Sequence, residues 1–151
     1  MSTHRLQATC IAIGQTGILL RGPSGSGKSD LALRLMDTGT ELVADDQVLL
    51  SVRDGLLYAR CPASIQGLLE VRGLGIIRLP FRPEVQIRAI IDLLPEGARP
   101  ERLPEPETET LLGIKIPRFS LNPFHASASA RVRMIARVAE DPTLFYSSCG
   151  D

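Results

Sequence analysis

The run GPSGSGKSDLALRL, Gly22 to Leu35, crowds three glycines and a lysine into its first seven residues and then turns helical. The spacing Gly22-x4-Gly27-Lys28-Ser29 fits the phosphate-binding loop that joins a strand to a helix. A helix start leaves backbone N–H groups unpaired and carries partial positive charge, so it attracts anions. Glycines there remove the Cβ atoms that would hold phosphate oxygens away from those N–H groups, and they permit the positive φ angles of a tight wrap. On this pattern Gly22, Pro23, Ser24, Gly25, Ser26, Gly27, Lys28 and Ser29 form a nucleotide-binding loop. Lys28 reaches the outer phosphates and Ser29 presents its hydroxyl to Mg²⁺.

The flanks supply the context the motif requires. LQATCIAIG, Leu6 to Gly14, and TGILLRG, Thr16 to Gly22, are apolar and β-branched enough to be strands joined tightly through Gln15-Thr16-Gly17. Beyond the glycines, Leu31, Ala32, Leu35 and Met36 recur at helical spacing, and Gly39 stands where a helix C′ glycine belongs. ELVADDQVLLSV, Glu41 to Val52, resumes β character, and Asp54-Gly55 signals a hairpin to LLYARC. In SIQGLLEVRGLGIIRL the alternation of Leu69 and Val71 with Glu70 and Arg72 places the two charges on one strand face. VQIRAIIDLL, Val85 to Leu94, is expected as a strand, with a short helix as the alternative. The segment from Pro95 to Thr110 is rich in proline and glutamate and reads as a loop, LLGIKIPRFSL returns to a strand, and SASARVRMIARVAE reads as a helix. There, Val132, Ile135, Ala136 and Ala139 mark one side, Arg133 and Arg137 the other.

A chain of 151 residues suits one α/β domain spanning 1–151, and its 17 basic and 17 acidic side chains cancel. That balance argues against a nucleic-acid partner, and no apolar run is long enough to cross a bilayer. MSTHRLQATC has no apolar signal core, and Cys10, Cys61 and Cys149 form neither a CxxC pair nor an even disulfide set. A reduced, cytoplasmic protein with buried or idle thiols is expected.

Acids decide whether bound nucleotide is consumed. Asp45 and Asp46 end the apolar run ELVA, where a phosphate-loop protein keeps a magnesium-directing carboxylate. Their side chains diverge in a regular strand, so sharing a site requires a bend between them.

Three segments together, GPSGSGKSDLAL, LVADD and LLEVRGLGII, resemble the signature stretches of the bacterial HPr kinase/phosphorylase family in order and spacing. EVRGLGI is the most specific of them. The resemblance implies a P-loop kinase core related to the phosphoenolpyruvate carboxykinase-like fold, a mixed β-sheet with flanking helices. It implies ATP- and Mg²⁺-dependent phosphorylation of a serine on HPr, a small phosphocarrier protein of the sugar phosphotransferase system, and reversal with inorganic phosphate. On the matching positions, Lys28 would hold the β- and γ-phosphates, Ser29 and Glu70 would ligate Mg²⁺, and Asp46, beside Asp45, would act as base toward the substrate serine. Arg102 in ERLPE matches the family's later catalytic arginine. Family members are commonly hexamers, so a homo-oligomer is expected.

This chain departs from the family pattern in three places. Gln7 occupies the position of an upstream histidine, and His4 lies three residues earlier. LNPFHASAS lacks the arginines of the late loop tied to dephosphorylation, leaving His125 as its one titratable group. The kinase core begins almost at Met1, as in short versions without the N-terminal accessory domain. The residues also leave open a small-molecule kinase with the same loop, and a non-catalytic nucleotide-binding sensor.

Overall fold

One long apolar strand organises the molecule. In the computed structural model, which describes residues 3–36 and 39–146, β9 (Glu84–Leu93) runs through the centre of the sheet. The other strands are β1 (His4–Gln7), β2 (Thr9–Ile13), β3 (Thr16–Arg21), β4 (Thr40–Ala44), β5 (Gln47–Arg53), β6 (Leu56–Arg60), β7 (Leu68–Val71), β8 (Gly75–Arg78), β10 (Glu107–Leu111) and β11 (Ile114–Leu121). The helices are α1 (Lys28–Leu35) and α2 (Ala128–Glu140). β9 pairs parallel with β3 on one side; on the other it pairs antiparallel with β6 near its start and parallel with β11 near its end. The sheet order is β1-β5-β6-β9-β3-β2-β4 with the β10–β11 hairpin attached, while β7 and β8 form a separate ribbon. The mixed sheet with flanking helices agrees with the α/β expectation.

Strand periodicity sorts the apolar residues into two layers. In β2, Cys10 and Ala12 face one cluster and Ile11 the other; in β3, Leu19 faces the first and Ile18 and Leu20 the second. The first cluster is built from the strands with Ala8 and Cys61 of their connections, and Val43, Val48, Leu50, Leu57 and Ala59 close over it. The second is covered by Leu31, Ala32 and Leu35 of α1 and Ala128, Val132 and Ala136 of α2. β9 also serves both, and a bulge exchanges its faces part-way: its register with β3 skips between Gly17 and Ile18, so Ile87 faces the first cluster but Ala89, two residues on, faces the second. No helix among the described residues is long and apolar enough to cross a membrane. Cys10 and Cys61 are free and buried; burial pushes both thiols up, with Cys61 adding to the effect on Cys10 and Asp45 to that on Cys61. Cys149 lies outside the described residues.

Several boundaries differ from the sequence-based expectation. Leu6–Gly14 is two strands, because the N–H of Ala8 turns away to donate to Asp46 O (3.1 Å). The β2–β3 turn falls at Gly14-Gln15, one residue before the expected connection, and Thr16 already belongs to β3. Glu41–Val52 is also two strands, broken at Asp45-Asp46, and Val85–Leu94 is strand rather than helix. α1 stops at Leu35, with the Met36 N–H donating to Leu33 O, so Gly39 (φ 69°) stands at the entry to β4 rather than at the helix cap. Arg72 leaves the strand, because β7 ends at Val71 and the chain turns at Arg72-Gly73; Glu70 and Arg72 therefore do not share a strand face. The last part of the proline- and glutamate-rich segment is β10, ordered by pairing with β11 across a turn in which Leu112 (φ 48°) and Gly113 (φ 82°) are both left-handed.

Candidate active site

β3 ends at Arg21 and the chain wraps from Gly22 into α1. Gly25 (φ 83°) and Gly27 (φ 99°) take the left-handed angles of the wrap, Gly27 being the N-cap of α1. At Gly22 the constraint is space: a Cβ there would stand 2.5 Å from Ser26 Oγ. The loop is pinned by the Ser26 N–H donating to Pro23 O (3.0 Å) and the Leu31 N–H donating to Gly27 O (2.9 Å). Lys28 is 6% exposed and folds its ammonium back onto the loop, donating to Gly22 O (2.5 Å) and Pro23 O (3.1 Å). Both partners are neutral carbonyls, so a nearly buried positive charge is left for an anion.

The loop forms one wall of a cleft of about 410 Å³. Asp30, Asp45, Asp46 and Glu70 supply carboxylates to the cleft; Lys28, Arg34 and Arg72 supply cations. The bend that the paired aspartates require is present: Asp46 sits at φ 70°, a conformation that costs a non-glycine residue about 1–3 kcal/mol. Thr9, wholly buried on β2, holds that bend. Its hydroxyl donates to Asp45 Oδ1 (2.8 Å) and accepts from the Asp46 N–H (3.4 Å), while the Ala8 N–H donates to Asp46 O.

The two aspartates thereby part company. Asp45 is fixed: its Oδ1 accepts from Ser29 Oγ (2.7 Å) as well as from Thr9, and its Oδ2 faces the Glu70 N–H (3.4 Å). Asp46 is exposed, and its carboxylate accepts no hydrogen bond among the described residues, so it is available to a ligand's hydroxyl. Because Ser29 gives its proton to Asp45, its oxygen lone pairs are left for a cation. With Glu70 lining the same cleft, the donors are all oxygens, which suits a hard divalent ion such as Mg²⁺.

The structure thus brings Ser24, Gly25, Gly27, Lys28, Ser29, Asp45, Asp46 and Glu70 into one cleft, while Gly22, Pro23 and Ser26 of the loop do not line it. Arg102 stands exposed on the connection between β9 and β10 and does not line it. Arg72 does: a Cβ on Gly25 would lie 3.8 Å from Arg72 Nη2, and the guanidinium has no hydrogen bond or ion pair among the described residues. Arg34 is already engaged at the cleft wall, donating to Asp30 (3.1 Å) and to Pro123 O (2.6 Å). Gln7 is exposed on β1 opposite Gln47, and neither it, His4 nor His125 lines the cleft. Sequence reasoning missed Thr9, a buried β-branched residue in a strand, and gave no particular place to Pro123 and Phe124, which complete the rim.

Comparison with known proteins shows the family. The family model described as HPr Serine kinase C-terminal domain matches residues 1–139. An HPr kinase/phosphorylase of Aromatoleum aromaticum is 38% identical over 134 residues, covering 81% of this chain and 42% of that protein. One of Bordetella pertussis is 42% identical over 116 residues, covering 70% of this chain and 38% of its own. The chain therefore spans about two fifths of the length of these relatives. The solved Hpr(Ser) kinase/phosphatase of Coxiella burnetii superposes with a TM-score of 0.82 at 25% identity, over 94% of this chain and 99% of that one. On fold, phosphate loop and family match alike, the chain belongs to the HPr serine kinase C-terminal domain family.

Proposed function

We infer that the chain is the phosphotransfer core of an ATP- and Mg²⁺-dependent kinase acting on a serine of an HPr-like phosphocarrier protein. The observation that carries this reading is the cleft in which an unneutralised Lys28 and the phosphate loop face Asp45, Asp46 and Glu70. Ser29 and Glu70 would hold Mg²⁺, with Asp45 orienting the Ser29 hydroxyl. The metal, when bound, neutralises charge on the phosphates.

The carboxylate of Asp46 accepts the proton of the substrate serine as its oxygen attacks the γ-phosphorus. The bond from that phosphorus to the β–γ bridging oxygen breaks, and ADP leaves. Loop N–H groups and Lys28 hold the phosphates in line, so most of the catalysis is positioning and charge stabilisation. In phosphorolysis inorganic phosphate attacks the phosphorus of the phosphoserine, the bond to the serine oxygen breaks as pyrophosphate forms, and protonated Asp46 gives its proton to that oxygen. The cation that meets the transferring group is Arg72, which lines the cleft beside the loop; Arg102, the family's match for that role, stands outside the cleft. The family's hexameric assembly and a cytoplasmic setting are carried to this chain on resemblance, and sedimentation measures the first.

Single-turnover transfer from labelled ATP to HPr, with enzyme in excess, tests the reading. Wild type should place the label on one serine, and Asp46→Ala should reduce the rate by about 10²–10⁴-fold while ATP affinity is retained. Label on a small molecule would favour a metabolite kinase instead. ATP binding with no stoichiometric product would favour a nucleotide sensor.

A further inference from the structure

The phosphate loop has a second flank. A cavity of about 400 Å³ lies there, walled by Pro23, Ser24, Gly25 and Ser26, by Leu93, Pro95 and Glu96, and by Phe124. It shares Ser24, Gly25 and Phe124 with the catalytic cleft, so one ligand can lie across the loop from one space to the other. The two differ in chemistry. Every cation of the pair, Lys28, Arg34 and Arg72, lines the cleft; the second cavity has no basic residue and one carboxylate. Phosphate is therefore disfavoured in the second cavity. Pro23, Leu93, Pro95 and the half-exposed ring of Phe124 (52%) offer instead an apolar slot with an aromatic face.

These walls are fastened together. Asn122, 2% exposed, donates from its side-chain amide to Ala98 O (2.8 Å) and accepts from the Phe124 N–H (2.9 Å). The Leu94 N–H donates to Leu121 O (2.8 Å), and Arg34 of α1 holds Pro123 O. The slot is thus set by the same contacts that join α1, β9 and β11. The hydroxyl of Ser26, which lines it, is buried with no hydrogen-bond partner among the described residues.

We propose that this cavity is the nucleoside subsite, with a purine base stacked on Phe124 and Glu96 accepting from a nucleoside hydroxyl or amino donor. The proposal rests on the nucleotide reading of the loop and adds where the nucleoside binds and which side chains select it. Stacking on an exposed ring is strong for any flat heteroaromatic base. The carboxylate adds a directional acceptor and repels a misplaced phosphate.

Calorimetric titration with Mg²⁺ present, using ATP, CTP and inorganic tripolyphosphate as probes, separates base from phosphate recognition. Wild type should bind ATP about tenfold more tightly than tripolyphosphate, with CTP between them. Phe124→Ala should weaken ATP about tenfold and leave tripolyphosphate unchanged. Phe124→Leu, which keeps apolar volume without the aromatic face, should fall between the two, and Glu96→Ala should weaken ATP while leaving tripolyphosphate as tight or tighter. Equal wild-type affinities for ATP and tripolyphosphate, or equal losses of both in Phe124→Ala, overturn the proposal. Failure of the kinase reading shows differently: ATP selectivity persists in these titrations but no phosphoryl group reaches HPr.

Discussion

Thr9 shows how much a single hydroxyl decides. Its proton goes to Asp45 and its lone pair takes the Asp46 N–H, so one side chain both orients the residue that holds Ser29 and fixes the turn that presents Asp46. A hydrogen bond to a charged group contributes about 1.5–3 kcal/mol, against the cost of a left-handed aspartate. Thr9→Val keeps the volume and removes both bonds. It should lower the transfer rate constant about tenfold with little change in KM for ATP, because the loop is untouched. Thr9→Ser should restore most of the rate. Kinetics on the two variants check this: equal losses in both, or a loss confined to KM, would give Thr9 a packing role only. The sequence did not mark the residue, since a threonine inside TCIAI satisfies strand propensity and period-2 burial without any polar duty. Asp45 and Asp46 were legible as a pair, and so was the need for a bend. Which of them would be fixed and which exposed depends on β2, thirty-odd residues earlier in the chain, and no local pattern carries that.

Among the elements, the ends of β3, β9, β10 and β11 meet in a charge network directly before the phosphate loop. Arg21 makes paired contacts to Asp92 (2.8 and 3.1 Å) and to Glu109 (2.6 and 2.7 Å), while Arg118 reaches Glu107 at 2.6 Å. Hydrogen bonding from Arg21, with a smaller opposing effect of burial, holds the Glu109 carboxyl below the usual glutamate range, and the same bond raises the Arg21 guanidinium. A depressed carboxylate contributes stability that is fully present above its unfolded value, about 4.3, and is lost as pH falls through the lower folded value. Wild type should therefore lose thermal stability below about pH 4.3, and Glu109→Gln should be less stable at pH 7 with a shallower decline over the acid range. Melting curves from pH 3 to 7 test this, and parallel curves would remove Glu109 from the account. This network also explains why β10 was hidden. PEPETETL carries prolines and like charges that read as loop, and its strand exists because β11 pairs with it and because Arg21 and Arg118 receive its glutamates. The phosphate loop, α1, α2, β3, β9 and the Asp54-Gly55 hairpin were legible because their signals are local: glycine spacing, helical or alternating periodicity, and turn residues at a fixed offset. The strand break at Ala8 was not, and at Asp45-Asp46 only the need for a bend was legible and not what makes it, since each break is held by a hydrogen bond to the other segment.

At the scale of the whole molecule, the phosphate site stands on contacts that knit the helical layer to the sheet. Thr16 at the start of β3 donates to Glu140 at the end of α2 (2.5 Å), and Arg133 of α2 donates to Thr40 Oγ1 (3.3 Å) and Leu35 O (3.4 Å). Lys28 closes the loop on itself at the head of the same layer. A ligand bound there meets a surface that exists only when α1, β3 and β4 are in place, so binding is linked to global unfolding. At one hundred times its dissociation constant, such a ligand adds about 2.7 kcal/mol, which for a chain of this size raises Tm by about 5–10 °C. Mg²⁺-ATP should produce that shift in wild type. In Lys28→Ala the outer phosphates lose their buried cation, and a hundredfold weaker affinity at the same ligand concentration leaves about 0.4 kcal/mol and a shift under about 2 °C. Asp46→Ala should keep the full shift while losing transfer, because its carboxylate serves the acceptor rather than the nucleotide. Thermal melts of the three proteins with and without Mg²⁺-ATP decide the matter: a full shift in Lys28→Ala would show that the ammonium seated on Gly22 and Pro23 carbonyls serves the loop's own structure and not an anion.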